Sequence, residues 1–231
     1  MIKKLKINLN IVHGKNSFQR LPYILKDYNF KKSIVICDDK IKNIDYIKKN
    51  IKFLKNKFYI TFNEEPSYQQ LDKEIKKIKK IKKIDSLIAI GGGSALDFAK
   101  GIAILLKNKG KAIKFMGFPK NLKENVPVIA IPTTSSTGSE IIFNAVFTDK
   151  FSKIKLGINY EKNYPLLSIL DTKLISNAPR KIINQSAIAS LMRAIETYTS
   201  PDADEITRFF SKQAFLMICA AINNKRNINY R

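Results

Sequence analysis

Three consecutive glycines, Gly91 to Gly93, stand directly after the apolar run of residues 85–90 and directly before a helical pattern. Glycine lets a backbone turn sharply and approach a bulky ligand closely. The first N–H groups of the following helix have no partner within the helix, and together with the helix dipole they favour a phosphate. The segment therefore predicts a pyrophosphate site at the glycines and Ser94. In an alternative interpretation, Ser94 and Asp97 only cap the helix.

A second polar segment follows another apolar run, residues 126–131. Six of the seven residues from Thr133 to Ser139 carry a hydroxyl, and Gly138 is the exception. Hydroxyls both donate and accept hydrogen bonds, so such a segment can surround a ribose or a base without adding charge. By itself it also fits an ordinary polar loop. Because the carboxyl ends of parallel strands meet at one edge of a sheet, the two segments together predict a ligand cleft at that edge.

Short apolar runs alternate with helical patterns along most of the chain, which predicts a parallel sheet with helices on both faces. Strands are predicted within residues 7–11, 33–37, 58–62, 85–90 and 126–131. Helices are predicted over residues 44–54, 69–84 and 95–107, and then, with no strands between them, over 182–198 and 205–221. We therefore predict an α/β, Rossmann-like nucleotide-binding domain over residues 1–179, followed by an all-helical domain over 180–231.

The composition is that of a globular protein with an excess of positive charge. Apolar residues make up 45% of the 231 residues, and no apolar run reaches the roughly 18 residues that a membrane span needs. Lys and Arg number 42 and the net charge is +23, but only six of these residues are Arg. Specific nucleic-acid readers favour the bidentate Arg side chain, so the dispersed Lys argues against a specific nucleic-acid partner. With two cysteines and no apolar N-terminal segment, we expect a cytoplasmic protein without a membrane partner.

The two polar segments resemble the iron-containing (group III) alcohol dehydrogenase family, which includes relatives of glycerol dehydrogenase and dehydroquinate synthase. The family pattern GGGS-x-x-D-x-A-K stands at residues 91–100, and the pattern IPTT-x-x-TGSE stands at residues 131–140. Further family features follow in the expected order: KLGI at 155–158, ILD at 169–171, Pro179 and AIE at 194–196. The resemblance extends over nearly the whole chain.

The resemblance implies bound NAD. The implied cofactor-binding residues are Asp38, Gly92, Gly93, Ser94, Asp97, Thr133, Thr134, Thr137 and Lys155. The two glycines and the serine would hold the pyrophosphate, with Asp97 supporting their turn. The three threonines would line the nicotinamide side, and Lys155 would lie near a ribose. Asp38 would bind the adenosine ribose, and because a carboxylate there repels a 2′-phosphate, NAD is favoured over NADP.

The family's metal ligands, one Asp and three His, are not matched. The first two belong to a D-A-x-x-H-A-I-E helix, and here Ala189 and Arg193 occupy those positions. The only histidine is His13, which we expect to be structural. Because neither Ala nor Arg holds a divalent cation, the sequence does not support the metal that the family implies. Arg193 is a candidate substitute electrophile or anion-binding group, and a surface Arg, or one paired with Glu196 or Asp202, is an equal alternative.

The resemblance implies hydride transfer between NAD(H) and a small alcohol or aldehyde, and a homodimer is one assembly to consider. Family members continue well beyond this length, so we expect the domain at 180–231 to be a truncated one and leave the activity of this chain open. What covers the apolar helix at 209–221 also stays open. One alternative is a non-catalytic nucleotide-binding remnant or truncated gene product. Another is an enzyme similar to dehydroquinate synthase, which acts on a phosphorylated, sugar-derived substrate.

Overall fold

The computed structural model describes residues 10–135, 137–176 and 178–223. By their internal contacts, the residues form two compact units. The first contains the residues up to Pro132 together with Gly138–Asp171. The second contains Thr133–Thr137 together with the residues from Thr172 onward. The division at residue 179, with its assignment of a function to each part, stays a prediction.

Among the described residues, the first unit contains eight strands and four α-helices. Its strands are β1 (Ile11–His13), β2 (Ser33–Asp38), β3 (Asn56–Ile60), β4 (Ser86–Gly91), β5 (Val128–Pro132), β6 (Asn144–Thr148), β7 (Lys155–Asn159) and β8 (Leu167–Leu170). Its helices are α1 (Leu21–Asp27), α2 (Asp45–Ile51), α3 (Tyr68–Ile78) and α4 (Gly93–Lys107). Six strands form one sheet in the order β1-β8-β5-β4-β2-β3, and every neighbouring pair is parallel.

The parallel α/β sheet confirms the fold class predicted from the sequence. The central strands β4 and β5 are buried along their whole length, which explains why their sequences are continuously apolar rather than alternating. Helix α4 is also buried over most of its surface and packs on β2, β4 and β5. Of the strand predicted at residues 7–11, residues 7–9 lie outside the described residues, and Ile11 begins β1.

The prediction of a single helix over residues 69–84 was wrong at its end, because α3 stops at Ile78. The N–H groups of Lys80 and Ile81 donate to carbonyls three residues back, so the last turn tightens instead of continuing as α-helix. Lys83 then takes a positive φ of 60°. The helical spacing of the apolar residues continues past a point where the chain must turn back towards β4.

An antiparallel pair, β6 and β7, lies outside the main sheet and was not predicted. The inner side chains of β6, Ala145 and Phe147, are buried against the core that α3 and α4 share with the main sheet. The Phe147 ring lies 5.4 Å from the ring of Tyr68 on α3, and the Tyr68 hydroxyl donates to the Leu156 carbonyl at 2.5 Å. Helix α3 therefore fixes both strands of the pair.

Asp171, the residue after β8, anchors the segment that follows β1. Its side chain is fully buried, and its two carboxylate oxygens accept the N–H groups of Asn16 and Phe18, both at 3.0 Å. The Tyr46 hydroxyl of α2 donates to the same carboxylate at 2.8 Å. Burial and this hydrogen bond both raise the pKa of Tyr46. One carboxylate thus joins β8, α2 and the turn after β1.

In the described residues of the second unit, the regular structure is helical. Its helices are α5 (Thr172–Ser176), α6 (Arg180–Thr199) and α7 (Glu205–Asn223), and α6 packs against α7. Large apolar side chains of both long helices are exposed, for example Met192 of α6 at 58% and Met217 of α7 at 71%. Among the described helices, none combines the length and the apolar character that crossing a membrane requires.

The anchor at Asp171 gives a stability prediction. Asp171→Asn should lower the free energy of unfolding by about 3 kcal/mol, because the new amide NH₂ must face a backbone N–H that the carboxylate had accepted. Tyr46→Phe is the matched control, since it removes one hydroxyl donor and should cost about 1 kcal/mol. Urea unfolding of both variants checks the order. A smaller loss for Asp171→Asn than for Tyr46→Phe would contradict the role of the carboxylate.

Candidate functional site

The three glycines form the turn between β4 and α4, as the sequence predicts. Gly91 ends the strand with a φ of +150°, and a Cβ atom built there would lie only 2.6 Å from the Cβ of Ala95. It would also lie 3.2 Å from the Cβ of Asp38 on β2. Both the backbone conformation and the close approach therefore require glycine at this position.

The first turn of α4 presents free backbone donors. Gly92 is the N-cap residue, and its carbonyl accepts the N–H groups of Ala95 at 3.0 Å and Leu96 at 3.2 Å. The N–H groups of Gly93 and Ser94 precede the first residue that can bond within the helix. Gly92, Gly93 and Ser94 are all half-buried rather than covered. The helix N-terminus thus offers N–H donors and its dipole to an anion at the carboxyl edge of the sheet.

Asp38 lies beside this turn. It is the last residue of β2, whose neighbour on one side is β4, with Cys37 opposite Ile90. One carboxylate oxygen of Asp38 accepts the N–H of Lys40 at 3.0 Å and thereby caps the short helical turn after β2. Asp38 is half-buried, and its second oxygen has no hydrogen-bond partner within the described part of the chain. A polar ligand at the glycine turn can therefore reach a carboxylate.

The capping alternative for Ser94 and Asp97 is wrong. No side chain caps α4, because its N-cap residue is Gly92. The Asp97 carboxylate instead accepts the hydroxyl of Ser139 and, at 3.0 Å, the N–H of Val146. Asp97 therefore joins α4 to the segment that leads into β6, and these hydrogen bonds do not reach the glycine turn.

Sequence reasoning missed the role of Lys100, which is fully buried one turn after Asp97. Its Nζ lies 3.0 Å from Asp97 Oδ1 and donates to the carbonyls of Ser139 at 2.9 Å, Ile142 at 3.2 Å and Asn144 at 2.5 Å. Burial lowers the pKa of Lys100, and the nearby carboxylates oppose that shift. The i,i+3 spacing of Asp and Lys was visible in the sequence, but their acceptors about forty residues away were not.

Glu140 lies near this ammonium in the same segment. Its pKa is raised mainly by burial, whereas the Lys100 charge lowers it and the Asp97 charge raises it. The carbonyl of Glu140 accepts the Ser168 hydroxyl of β8. The segment after Ser139 is therefore held from both α4 and the sheet.

The hydroxyl-rich residues 133–137 belong to the second unit. Thr133 is buried, Thr134 is half-buried and Thr137 is exposed, and Ser136 lies outside the described residues. Within this unit, the Ser190 hydroxyl of α6 donates to the Ser135 carbonyl at 3.1 Å. The loop backbone is thus attached to α6.

Lys155, predicted to lie near a ribose, is the first residue of β7. Its ammonium pairs with the carboxylate of Glu65, and both side chains are about half exposed. The Thr148 hydroxyl, from the residue opposite Lys155 in the strand pair, donates to the other Glu65 oxygen at 3.4 Å. Glu65 therefore holds the Lys155 side chain.

The helix that carries Ala189 and Arg193 does not offer a metal site. Both residues are exposed and lie four positions apart on α6, hence on the same side of the helix. In the described ranges Arg193 forms no ion pair, so the alternative of a salt bridge to Glu196 or Asp202 is not seen. No group of three His, Cys, Asp or Glu side chains that could hold a metal exists among the described residues.

The donor set leads to a prediction on metal binding. Purified protein supplied with Fe²⁺ or Zn²⁺ should contain far less than one metal per chain by elemental analysis, because Ala189 and Arg193 supply no ligand. The double variant Ala189→Asp, Arg193→His should not reach one metal per chain either, since two ligands are fewer than the three that a catalytic zinc site normally has. Stoichiometric metal in the wild type would show that other ligands exist.

Comparisons with known proteins match this chain to a family model and to curated relatives. A family model described as iron-containing alcohol dehydrogenase matches residues 8–172. The NAD-dependent methanol dehydrogenase of Bacillus methanolicus is 30% identical over 212 residues, which cover 90% of this chain and 55% of that protein. The sulfoacetaldehyde reductase of Bilophila wadsworthia is 29% identical over 217 residues, which cover 92% of this chain and 56% of that protein. The chain spans about half the length of these curated relatives.

Solved structures show the same fold. A sulfoacetaldehyde reductase from Bifidobacterium kashiwanohense, in complex with NAD⁺, matches with a TM-score of 0.86 and 23% identity over 98% of this chain and 62% of its own. A 1,3-propanediol oxidoreductase matches with a TM-score of 0.85 and 24% identity over 98% of this chain and 61% of its own. The family model matches well over half of the residues of this chain. This chain therefore belongs to the iron-containing alcohol dehydrogenase family.

Proposed function

We propose that this chain is an NAD-dependent oxidoreductase of the alcohol dehydrogenase type, with hydride transfer between NAD(H) and a small alcohol or aldehyde. The observation that carries the proposal is the turn from β4 to α4, where Gly91 has no room for a side chain and the free N–H groups of α4 follow. Backbone donors at a helix N-terminus suit a pyrophosphate. The hydride chemistry itself belongs to the nicotinamide, and the protein positions it.

Asp38 supports NAD as the cofactor rather than NADP. Its Cβ lies next to the glycine turn, and one carboxylate oxygen is left for a ligand. A carboxylate at the end of the second strand can accept both hydroxyls of the adenosine ribose and repels a 2′-phosphate. NAD-dependent methanol dehydrogenase, a relative at 30% identity, agrees with this choice.

The remaining cofactor contacts are proposed from the family resemblance. Thr133, Thr134 and Thr137 would line the nicotinamide, and Lys155 would reach a ribose after exchanging Glu65 for a ribose hydroxyl. In this proposal residues 1–179 provide the nucleotide domain, and residues 180–231 belong to the substrate side. Hydroxyl groups can donate to and accept from the carboxamide of a nicotinamide and the hydroxyls of a ribose without adding charge to the site.

Arg193 supports an anionic substrate as a variant of this proposal. Its guanidinium is exposed and forms no ion pair within the described residues. Guanidinium groups bind phosphate, sulfonate and carboxylate through two parallel hydrogen bonds. One relative is a sulfoacetaldehyde reductase, whose substrate carries a sulfonate.

A second candidate function is nucleotide binding without catalysis by this chain. It is favoured by the residues on α6, since Ala189 and Arg193 cannot hold the divalent cation that would polarise an alcohol oxygen. Both candidates require the same nucleotide site. They differ in whether the purified chain produces NADH from NAD⁺ and small alcohols. The absorbance of the reduced nicotinamide of NADH measures this directly.

The glycine turn gives the first functional prediction. Gly93→Val should weaken NAD⁺ binding by about 2 kcal/mol or more, because a branched side chain keeps the pyrophosphate from the N–H groups of α4. The exposed Lys107→Val, at the other end of the same helix, is the control and should leave affinity unchanged. Isothermal calorimetry on folded protein is the measurement. Absence of wild-type binding at millimolar NAD⁺ would refute the nucleotide site.

Cofactor choice gives a second prediction. Asp38→Gly should bring the affinities for NAD⁺ and NADP⁺ closer together, because it removes the charge that repels a 2′-phosphate. Asp39→Gly is the matched control, since the Asp39 carboxylate is already paired with Lys42 at 2.7 Å. Titration of each variant with both cofactors checks this. Equal affinity of the wild type for the two cofactors would mean that Asp38 does not contact the ribose.

A further inference from the structure

A buried ion pair on α4 holds an irregular piece of the first unit. The segment from Ser139 to Phe143 has neither helix nor strand structure, so its carbonyls lack the partners that regular structure supplies. The ammonium of Lys100 binds the carbonyls of Ser139, Ile142 and Asn144. A lysine has three N–H donors and no acceptor, which makes it suited to gather several carbonyls at one point.

Asp97 completes this arrangement from the same face of α4. Its carboxylate balances the Lys100 charge and also accepts the Ser139 hydroxyl and the Val146 N–H. The pair therefore binds the segment at its first residue, Ser139, and binds β6 at Asn144 and Val146. Burying two charges is costly, and well-packed apolar residues of similar volume often stabilise a fold as well or better. Fixing one conformation of the bound segment explains the presence of the ion pair better than a gain in folding stability does.

The ion pair also bears on the loop of residues 133–138, which directly precedes the segment. Residues 133–138 leave β5 at Pro132, which lies opposite Gly91 in the sheet, and they end at Ser139 on the ion pair. The two residues that flank the loop, Pro132 and Ser139, both belong to the first unit and are attached to β4 and α4, the two elements that form the glycine turn. The distance between the loop's two ends is set by the first unit alone.

We infer that Lys100 and Asp97 are positioning residues, which fix Ser139, the residue where the first unit resumes after the loop proposed above to line the nicotinamide half of NAD. This inference rests on the proposed function, because it takes the loop as the nicotinamide side of the site. Neither residue touches the cofactor, since Lys100 is fully buried and Asp97 is engaged by Ser139 and Val146. Their effect passes through Ser139 to the loop.

The test separates the two halves of the cofactor. Lys100→Met and the double variant Asp97→Asn, Lys100→Met, which removes both charges of the pair, are titrated by calorimetry with NAD⁺ and with ADP. ADP carries the adenosine and pyrophosphate but no nicotinamide. We expect NAD⁺ affinity to fall about tenfold or more, because the loop is no longer pre-organised, while ADP affinity changes less than about twofold. Lys107→Met, exposed on the same helix, should change neither.

Hydrogen exchange gives a second readout on the same proteins. The amides of residues 139–146 should exchange faster in Lys100→Met than in the wild type, and those of α4 should not. Should Lys100→Met fail to fold, Ser139→Ala decides the question, because it removes only the hydroxyl bound to Asp97. The expected result is then a smaller loss of the same kind, for NAD⁺ and not for ADP.

The outcomes that overturn the inference are distinct from those that overturn the proposed function. Equal losses for NAD⁺ and ADP, or no loss for either in a folded variant, would show that the pair has only a general structural role. Wild-type protein that binds neither nucleotide would refute the nucleotide site itself and the inference with it. Wild-type binding of both, with a selective loss for NAD⁺ in the variants, supports both.

Discussion

The close contact between β4 and α4 at Gly91 is the constraint around which the first unit is arranged. The strand is buried along its whole length and the helix over most of its surface, so neither can shift without opening the core. At their junction the Cβ of Ala95 and the Cβ of Asp38 leave space for a hydrogen atom only. This contact sets the height of the helix N-terminus above the sheet and its distance from β2. The height of the helix N-terminus and its distance from β2 therefore also determine the geometry of the candidate site.

Charged side chains are used inside this unit as anchors for backbone that regular structure does not pair. Asp171 accepts N–H groups of the turn after β1, and Lys100 donates to carbonyls of the segment after Ser139. The charge of each side chain suits the backbone groups that it binds. The Asp171 carboxylate accepts from N–H groups, and the Lys100 ammonium donates to carbonyls. Asp171 stands at the carboxyl edge of the sheet, directly after β8, and Lys100 lies about two turns into α4. The sheet itself needs no such help.

The sequence predicted the parts of the site that depend on local pattern. An apolar run followed by three glycines and a helical period leaves few structures open, so the turn and its helix were found. Asp38 was named from the family resemblance, and the structure places it at the end of β2 beside the glycine turn, while its role at a ribose stays a prediction. The partners of Asp97 were not predictable, since Ser139 and Val146 are 42 and 49 residues away along the chain and local spacing favours a helix cap. The β6–β7 pair was missed for a different reason: only alternate residues of β6 are buried and the first two residues of β7 are exposed, so both short strands carry a weak apolar signal.

The path of the chain through residues 133–137 has a consequence for dividing the protein. These five residues leave the first unit after β5, join the contacts of the helical unit, and the chain then returns for β6 to β8. A fragment that stops at Asp171 contains every residue of the first unit, yet it also contains a loop whose carbonyl at Ser135 has lost the Ser190 hydroxyl. A fragment that starts at Thr172 lacks the loop altogether. No single cut in the chain therefore separates the two units with all their contacts.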